Sequence, residues 1–321
     1  MNVYLSLLQL MFQFGKNVQT QKAFFAKVFL PLLKSKRPEA FAQLDATEKQ
    51  RLEKYAIMIP AMPGESYCVL RHLSLSHNER LGLTALGALT ALFDDLFDKY
   101  NYDYARIQAL LFRAQKLESF TPLENVMLAI FDILKPCICH QQLFDSCLLQ
   151  VLEAQEKSRK PNLNTCSMDE LQSFMNQKGE ASMLLYRCVF ANELFDADVE
   201  LVALLGQIGQ FENDIFDIYD DSIDGIPTLA NQNKQLHILQ DIYDAYKQKL
   251  FAAIAKVKHT GKTDFTFLCK LIVARADVAI AHYRTLAVDG HFDATQFSRK
   301  KAICNMENIR NFVRLLRISA T

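Results

Sequence analysis

Two stretches of this chain carry carboxylates at helical spacing beside long apolar runs. In Ala91–Tyr100, reading ALFDDLFDKY, Asp94 and Asp98 are four apart and share a helix face, with Asp95 beside them. In Gln210–Asp221, reading QFENDIFDIYDD, Asn213, Asp217 and Asp221 repeat that spacing, drifting only ~40° per step at ~3.6 residues per turn. Two such faces turned toward each other make a strongly negative cleft, which becomes useful when cations fill it. Asp and Asn oxygens favour hard ions such as Mg2+, and Mg2+ often completes its shell with phosphate oxygens of a substrate. The chemistry these residues support is metal-dependent work on a diphosphate.

The bland alternative is a wet helix face, since polar residues opposite an apolar stripe are ordinary. The distribution of charge argues against it. From Cys188 to Asn233 there is no Lys or Arg, while Asp196–Asp224 holds nine carboxylates. Leu81–Asp98 likewise holds three aspartates and no base. A solvated face mixes signs at i,i+4, because like charges there repel. In a chain with 36 basic and 36 acidic side chains, two such runs call for a local counter-charge, and bound metal would supply it.

The elements that must position these motifs read as helices. Ten Gly and eight Pro in 321 residues, with few alternating β-branched runs, predict an all-α chain. Thr47…Gln50, Thr121-Pro122…Glu124 and Ser167…Glu170 fit capping boxes. Pro60, Pro136, Pro161 and Gly225-Ile226-Pro227 close apolar-periodic segments. Helices are expected over 2–15, 19–35, 38–59, 67–77, 79–100, 103–117, 122–135, 138–158, 167–194, 197–222, 234–258, 263–287 and 294–317. With no repeat or long linker, one domain over 1–321 is expected, residues 1–60 being helices that flank its core. Gly82, Ala85, Gly87, Ala88 and Ala91 line one acidic helix, and either close helix packing or room for a ligand accounts for them. Leu204, Ile208, Phe211, Ile215 and Ile218 form the core stripe of the other, with Gly206, Gln210, Asn213 and Asp217 on a different face.

Zero net charge gives no argument for nucleic acid, and no basic amphipathic stretch argues strongly for a membrane surface. The apolar start, MNVYLSLLQLMFQFGKN, lacks a basic leader region and a small-residue cleavage site, so it reads as a helix of the mature protein. The longest apolar run, Leu81–Phe93, has 13 residues, short of the ~20 that span a bilayer. An integral membrane protein is not expected. Eight scattered cysteines, with Cys137/Cys139 unmatched elsewhere, fit reduced thiols in a cytoplasmic protein.

These motifs resemble the class I isoprenoid synthase superfamily of terpene cyclases, trans-prenyltransferases and squalene/phytoene synthases. Asp94-Asp95-Leu96-Phe97-Asp98 matches its DDxxD motif without a mismatch. Gly206…Gln210…Asn213-Asp214…Asp217 is similar to the prenyltransferases' Gly, Gln and second DDxxD, with Asn in place of the first Asp. It lies equally on the cyclase motif NDxxSxxxE, with Asp217 in place of Ser and Asp221 in place of Glu. The resemblance runs roughly from residue 67 to the C-terminus.

What the resemblance implies is a helical bundle around a central apolar cavity, its two acidic motifs facing each other at the mouth. Three Mg2+ ions, with Mn2+ as a substitute, would be held by Asp94, Asp95, Asp98, Asn213, Asp214, Asp217 and Asp221 and would bridge to a prenyl diphosphate. Asp94, Asp95, Asp98, Asn213 and Asp217 would form the catalytic set. Lys178, Arg187, Gln210 and Arg310 are the implied diphosphate contacts. Lys178-Gly179 is similar to the prenyltransferases' Lys-Thr, and Gly179 reads as a helix break facing the ligand. Arg310 and the pair Tyr283-Arg284 stand where bacterial cyclases carry late donors. Arg159-Lys160 reads instead as a helix C-terminal charge. No Gly-Lys-x-x-Arg-Pro-like segment appears near the N-terminus, which favours a reaction of one prenyl diphosphate over condensation with isopentenyl diphosphate. The expected function is ionisation and cyclisation or rearrangement. A trans-prenyltransferase or head-to-head synthase is the alternative, and a non-catalytic prenyl-diphosphate or lipid binder the next. Relatives of this fold are often dimers, so a homodimer is also expected.

Overall fold

A computed structural model describes residues 3–114, 117–158, 166–306 and 308–319, with side chains described for all of these but 3–8, 98 and 158. The helices are α1 (Val3–Phe24), α2 (Leu30–Lys36), α3 (Pro38–Gln43), α4 (Ala46–Ile59), α5 (Glu65–Arg71), α6 (His77–Asp98), α7 (Tyr104–Phe112), α8 (Pro122–Leu134) and α9 (Gln141–Ser158). There follow α10 (Met168–Arg187), α11 (Asp196–Phe216), α12 (Ile218–Asp224), α13 (Leu229–Gln232), α14 (Leu236–Lys256), α15 (Lys262–Arg284), α16 (Arg299–Ala302) and α17 (Ile309–Ser319). The described residues form no strand, only isolated bridges at Gln235/His291 and Val288/His291. The chain is all-α, as the sequence predicts. No described helix is long and apolar enough to cross a membrane.

Backbone contacts sort the chain into two compact units. One comprises Gln9–Ser146 and Leu185–Glu193, the other Met1–Leu8, Cys147–Leu184 and Leu194–Thr321. In the first, α6 packs on α4 and α8. Leu83, Ala85, Ala88, Ala91, Leu92, Leu96 and Phe97 are all buried, as expected for a helix apolar on nearly every side. The small residues let helices approach. A Cβ at Gly87 would lie 2.4 Å from the Tyr55 carbonyl oxygen on α4, and one at Gly82 would lie 2.9 Å from Cys137 and Val189. Close packing is thus the use made of this stripe. Buried Gln21 ties α1 in, donating to the Ala56 carbonyl at 3.0 Å and to Thr84 at 2.8 Å while accepting from Arg80.

In the other unit α11 packs on α14 and α15, and α15 on α17. Leu201, Ile208, Phe211, Ile215 and Ile218 are buried, so the predicted core stripe faces inward; Leu204 is half-buried.

Several boundaries differ from expectation for identifiable reasons. The expected break near Gly15 is absent, and helix continues through a π-helical turn at Phe25–Phe29 into α2. Pro60 does not stop α4, because a second π-helical turn, Pro60–Gly64, absorbs Pro60 and Pro63 and leads into α5. A wider turn frees the carbonyls that proline cannot serve. The capping box that starts α4 is Asp45…Glu48, with both reciprocal bonds at 2.8 Å, rather than Thr47…Gln50. Thr121…Glu124 and Ser167…Glu170 do cap α8 and α10. The expected helix over 294–317 is three short pieces, a 3-10 turn at Ala294–Gln296, then α16 and α17. Arg159, Lys160 and Pro161 lie outside the described residues, as does residue 2.

Candidate functional site

The first motif occupies the last turn and a half of α6, whose N-terminus is fixed by a Ser76…Glu79 capping box. Asp94 and Asp95 differ sharply in surroundings. Asp95 is 2% exposed and ion-paired with Arg51 on α4, and burial raises its carboxyl pKa while Arg51 opposes that shift. Its second oxygen, Oδ2, is buried with no hydrogen-bond partner. Asp94 is half-buried, with Arg51 at 3.7 Å. The Tyr186 phenol, whose negative neighbour is Asp94, meets Thr90 at 3.1 Å and is pushed up to about 12, mainly by burial. Asp98 ends α6, and its side chain lies outside those described. The next residue, Lys99, bonds Asp45 at 2.5 Å and Glu48 at 2.7 Å. The base that this acidic run lacks in sequence is therefore supplied in part by α4.

The second motif straddles a break. α11 ends at Phe216, Asp217 sits at φ −90° and ψ 7°, and α12 begins at Ile218. The buried Tyr283 phenol donates to the Ile215 carbonyl at 2.7 Å beside this break. Tyr283 thus shapes the motif from behind, while Arg284 is exposed and reaches Gln240 at 3.3 Å. Asn213 is exposed and donates to Asp217 at 3.0 Å. Asp214 is buried and accepts from Gln210 at 2.8 Å.

Some of the nine carboxylates of Asp196–Asp224 meet bases from elsewhere in the chain. Distant bases serve four of them: His259 on Asp198 at 2.7 Å, Lys256 on Glu200 at 2.6 Å, Arg275 on Glu212 at 3.9 Å and Arg299 on Asp220 at 2.9 Å. Glu212 also accepts from Tyr243 at 2.9 Å. Asp214 and Asp221 form no ion pair within 4.0 Å among the described residues; together with Asp217 they make a like-charged cluster. Burial raises Asp214 to about 6, with Asp217 adding to the shift and Gln210 and Lys178 opposing it. Burial, then Asp214 and Asp217, raises Asp221 to about 7, again opposed by Lys178. Asp221 also lines a cleft of about 170 Å³ with Ser222, Asn231, Lys234 and Asp293.

Lys178 reaches this cluster because α10 and α11 cross in backbone contact. A Cβ on Gly179 would lie 2.2 Å from the Gly206 carbonyl oxygen, and one on Gly206 would lie 2.1 Å from that of Gly179. Gly179 therefore marks a helix crossing rather than the expected break, and α10 runs unbroken to Arg187. Gln207 and Glu180 add a 3.0 Å bond across it.

The structure thus brings Lys178, Gln210, Asn213, Asp214, Asp217 and Asp221 together. Arg187 has other work: its buried guanidinium donates to the carbonyls of Phe190, Asn192 and Glu193 at 3.3, 3.1 and 2.9 Å and stacks on Tyr67. It locks the turn after α10 in place of the diphosphate contact implied for it. Arg310 is exposed on α17, where its backbone N–H bonds Asn308. Sequence reasoning missed Arg51 and Tyr283's carbonyl bond, and no local pattern announces either.

The donor set fits a hard cation in chemistry, being oxygen only, with carboxylates whose ionisation burial and mutual repulsion oppose. Among the described residues no three His, Cys, Asp or Glu side chains form a ready metal cage, so substrate oxygens and water would have to complete the shell. No family model, curated protein or solved structure matches this sequence.

Proposed function

We propose that this chain is a Mg2+-dependent enzyme of the class I isoprenoid synthase type, which ionises a prenyl diphosphate with loss of pyrophosphate and cyclises or rearranges the cation. The observation that carries this reading is the like-charged grouping of buried Asp214 and half-buried Asp221 with Asp217, toward which the charge of Lys178 acts. Those are the motif positions, and the raised pKa values of Asp214 and Asp221 mark carboxylates that a cation would relieve. Asn213, Asp214, Asp217 and Asp221 would each offer a metal ion an oxygen, as Asp94 and Asp98 would in the first motif. When bound, Mg2+ would neutralise the charge that develops on departing pyrophosphate. Lys178 would meet a diphosphate oxygen directly, and Gln210 holds one oxygen of the Asp214 carboxylate at 2.8 Å. An apolar cavity would hold the prenyl chain and keep water from the cation.

The test is pyrophosphate release with Mg2+ from C10, C15 and C20 allylic diphosphates, with and without isopentenyl diphosphate, followed by product extraction. Release without the co-substrate and a hydrocarbon or alcohol product is expected. Release only with the co-substrate would move the assignment to a condensing enzyme of the same kind. The pairing of Asp95 and Asp94 with Arg51 favours a second reading, a prenyl-diphosphate binder without turnover. Tight Mg2+-dependent binding with no release would select it.

A further inference from the structure

α17 (IRNFVRLLRIS) packs on α15 and buries Leu315 and Ser319. Exposure concentrates on one remaining arc of the helix. Ile309 is 73% exposed and Val313 39%, and Leu316 is half-buried beside them. Spaced four and three, these side chains form a single aliphatic ridge along the helix. Arg310, Arg314 and Arg317, all exposed, repeat the same spacing one position on, so a basic ridge runs along one flank of the aliphatic one. Among the described residues none of the three guanidinium groups makes an ion pair within 4.0 Å. With Ile309 at heptad position d, Val313 falls at a, Leu316 at d, and Arg310 and Arg317 at e.

We infer that this face of α17 is a docking site for an acidic amphipathic helix of a partner protein. An aliphatic a/d seam takes the apolar side of a second helix, and charges beside the seam choose which helix it takes. Here the flanking charges are arginines, whose planar forks suit carboxylates, so the partner must carry Asp or Glu opposite them. A second copy fails on charge in either orientation. Set antiparallel, the arginines at e would face one another; set parallel, they would face Phe312 and Ser319 at g, which offer no carboxylate. A flat lipid surface would suit an aliphatic ridge with cations on both flanks, whereas the arginines here lie on one flank and the other turns toward buried Ser319. This inference does not depend on the proposed chemistry.

The test uses two synthetic peptides of about three heptads with Leu or Ile at a and d, one carrying Glu and the other Lys at e and g. Like charges at those positions keep either peptide from pairing with itself. Fluorescence anisotropy with the full chain should show the Glu peptide binding at least about tenfold more tightly than the Lys peptide, and weakening as salt rises. The Arg310→Glu/Arg317→Glu chain should reverse that preference. Ile309→Ser should weaken the Glu peptide by about tenfold. Because these side chains are exposed, the melting temperature of both variants should stay at the parent's value. Binding of neither peptide, equal binding of both, or a preference that survives the arginine reversal would overturn the inference. So would a dimer of the chain that Ile309→Ser dissociates, or flotation with phosphatidylserine vesicles that the arginine reversal abolishes.

Discussion

The titration of Asp214 and Asp221 gives the sharpest quantitative test of the acidic cluster. Metal binding needs both carboxylates ionised, yet they titrate near 6 and 7. Treated as independent sites, both are ionised in about 5% of molecules at pH ~6 and about 90% at pH ~8. Apparent Mg2+ affinity should therefore rise about twentyfold across that interval, or roughly 1.8 kcal/mol. Calorimetry with Mg2+ alone keeps the ionisation of pyrophosphate out of the measurement. Asp221→Asn removes the later titration, so the same interval should then change affinity only about twofold, the share left to Asp214. Affinity equal at both pH values in the parent, or a twentyfold dependence surviving in Asp221→Asn, would refute the reasoning. The sign for stability is opposite. Both folded-state pKa values lie above 3.8, so the contribution is full below pH ~4 and is lost as pH rises through them. Without metal the melting temperature attributable to this cluster falls over that range, and Mg2+ restores it.

Other outcomes follow from single contacts. Asn213→Ala or Asp217→Ala should weaken Mg2+-linked pyrophosphate binding at least about tenfold, measured by calorimetry, while the fold persists by circular dichroism. Asp94→Ala with Asp98→Ala should abolish pyrophosphate release, and unchanged turnover would sink the assignment of that motif. Arg51→Met should cost about 1–3 kcal/mol in denaturant unfolding by stranding buried Asp95, and adding Asp95→Asn should recover most of it. Tyr283→Phe should cost about 1–2 kcal/mol by leaving the Ile215 carbonyl without its buried donor.

How far the sequence could be read depended on the range of the interaction. Local rules held where one pattern stood alone: Thr121…Glu124 and Ser167…Glu170 cap the helices expected of them. They failed where two patterns overlapped. Asp45…Glu48 and Thr47…Gln50 compete for one helix start, and the carboxylate cap, also bonded to Lys99, takes it. Prolines at 60 and 63 read as stops because periodicity carries no sign of a π turn. The core stripe of α11 was legible from its three-and-four spacing, whereas the break at Asp217 was not. Charge was hardest. The run without Lys or Arg was real, but Arg51, His259, Lys256, Arg275 and Arg299 arrive from 44 to 79 residues away, where composition in a window cannot see them. The grouping of Asp214, Asp217 and Asp221 with the charge of Lys178 is smaller than the run that suggested it.

The crossing of Gly179 and Gly206 has a consequence for how this sequence can change over time. Each glycine's missing side chain makes room for the other's carbonyl, at 2.1 to 2.2 Å from where a Cβ would stand, so neither position can drift alone without forcing the helices apart. Separation would carry Lys178 away from the aspartates, so a tolerated change in packing would still be a loss of charge placement. The two positions thus form a coupled pair 27 residues apart. Descendants that keep the acidic cluster in working order should keep both glycines, and those that lose one should have lost the need for the other.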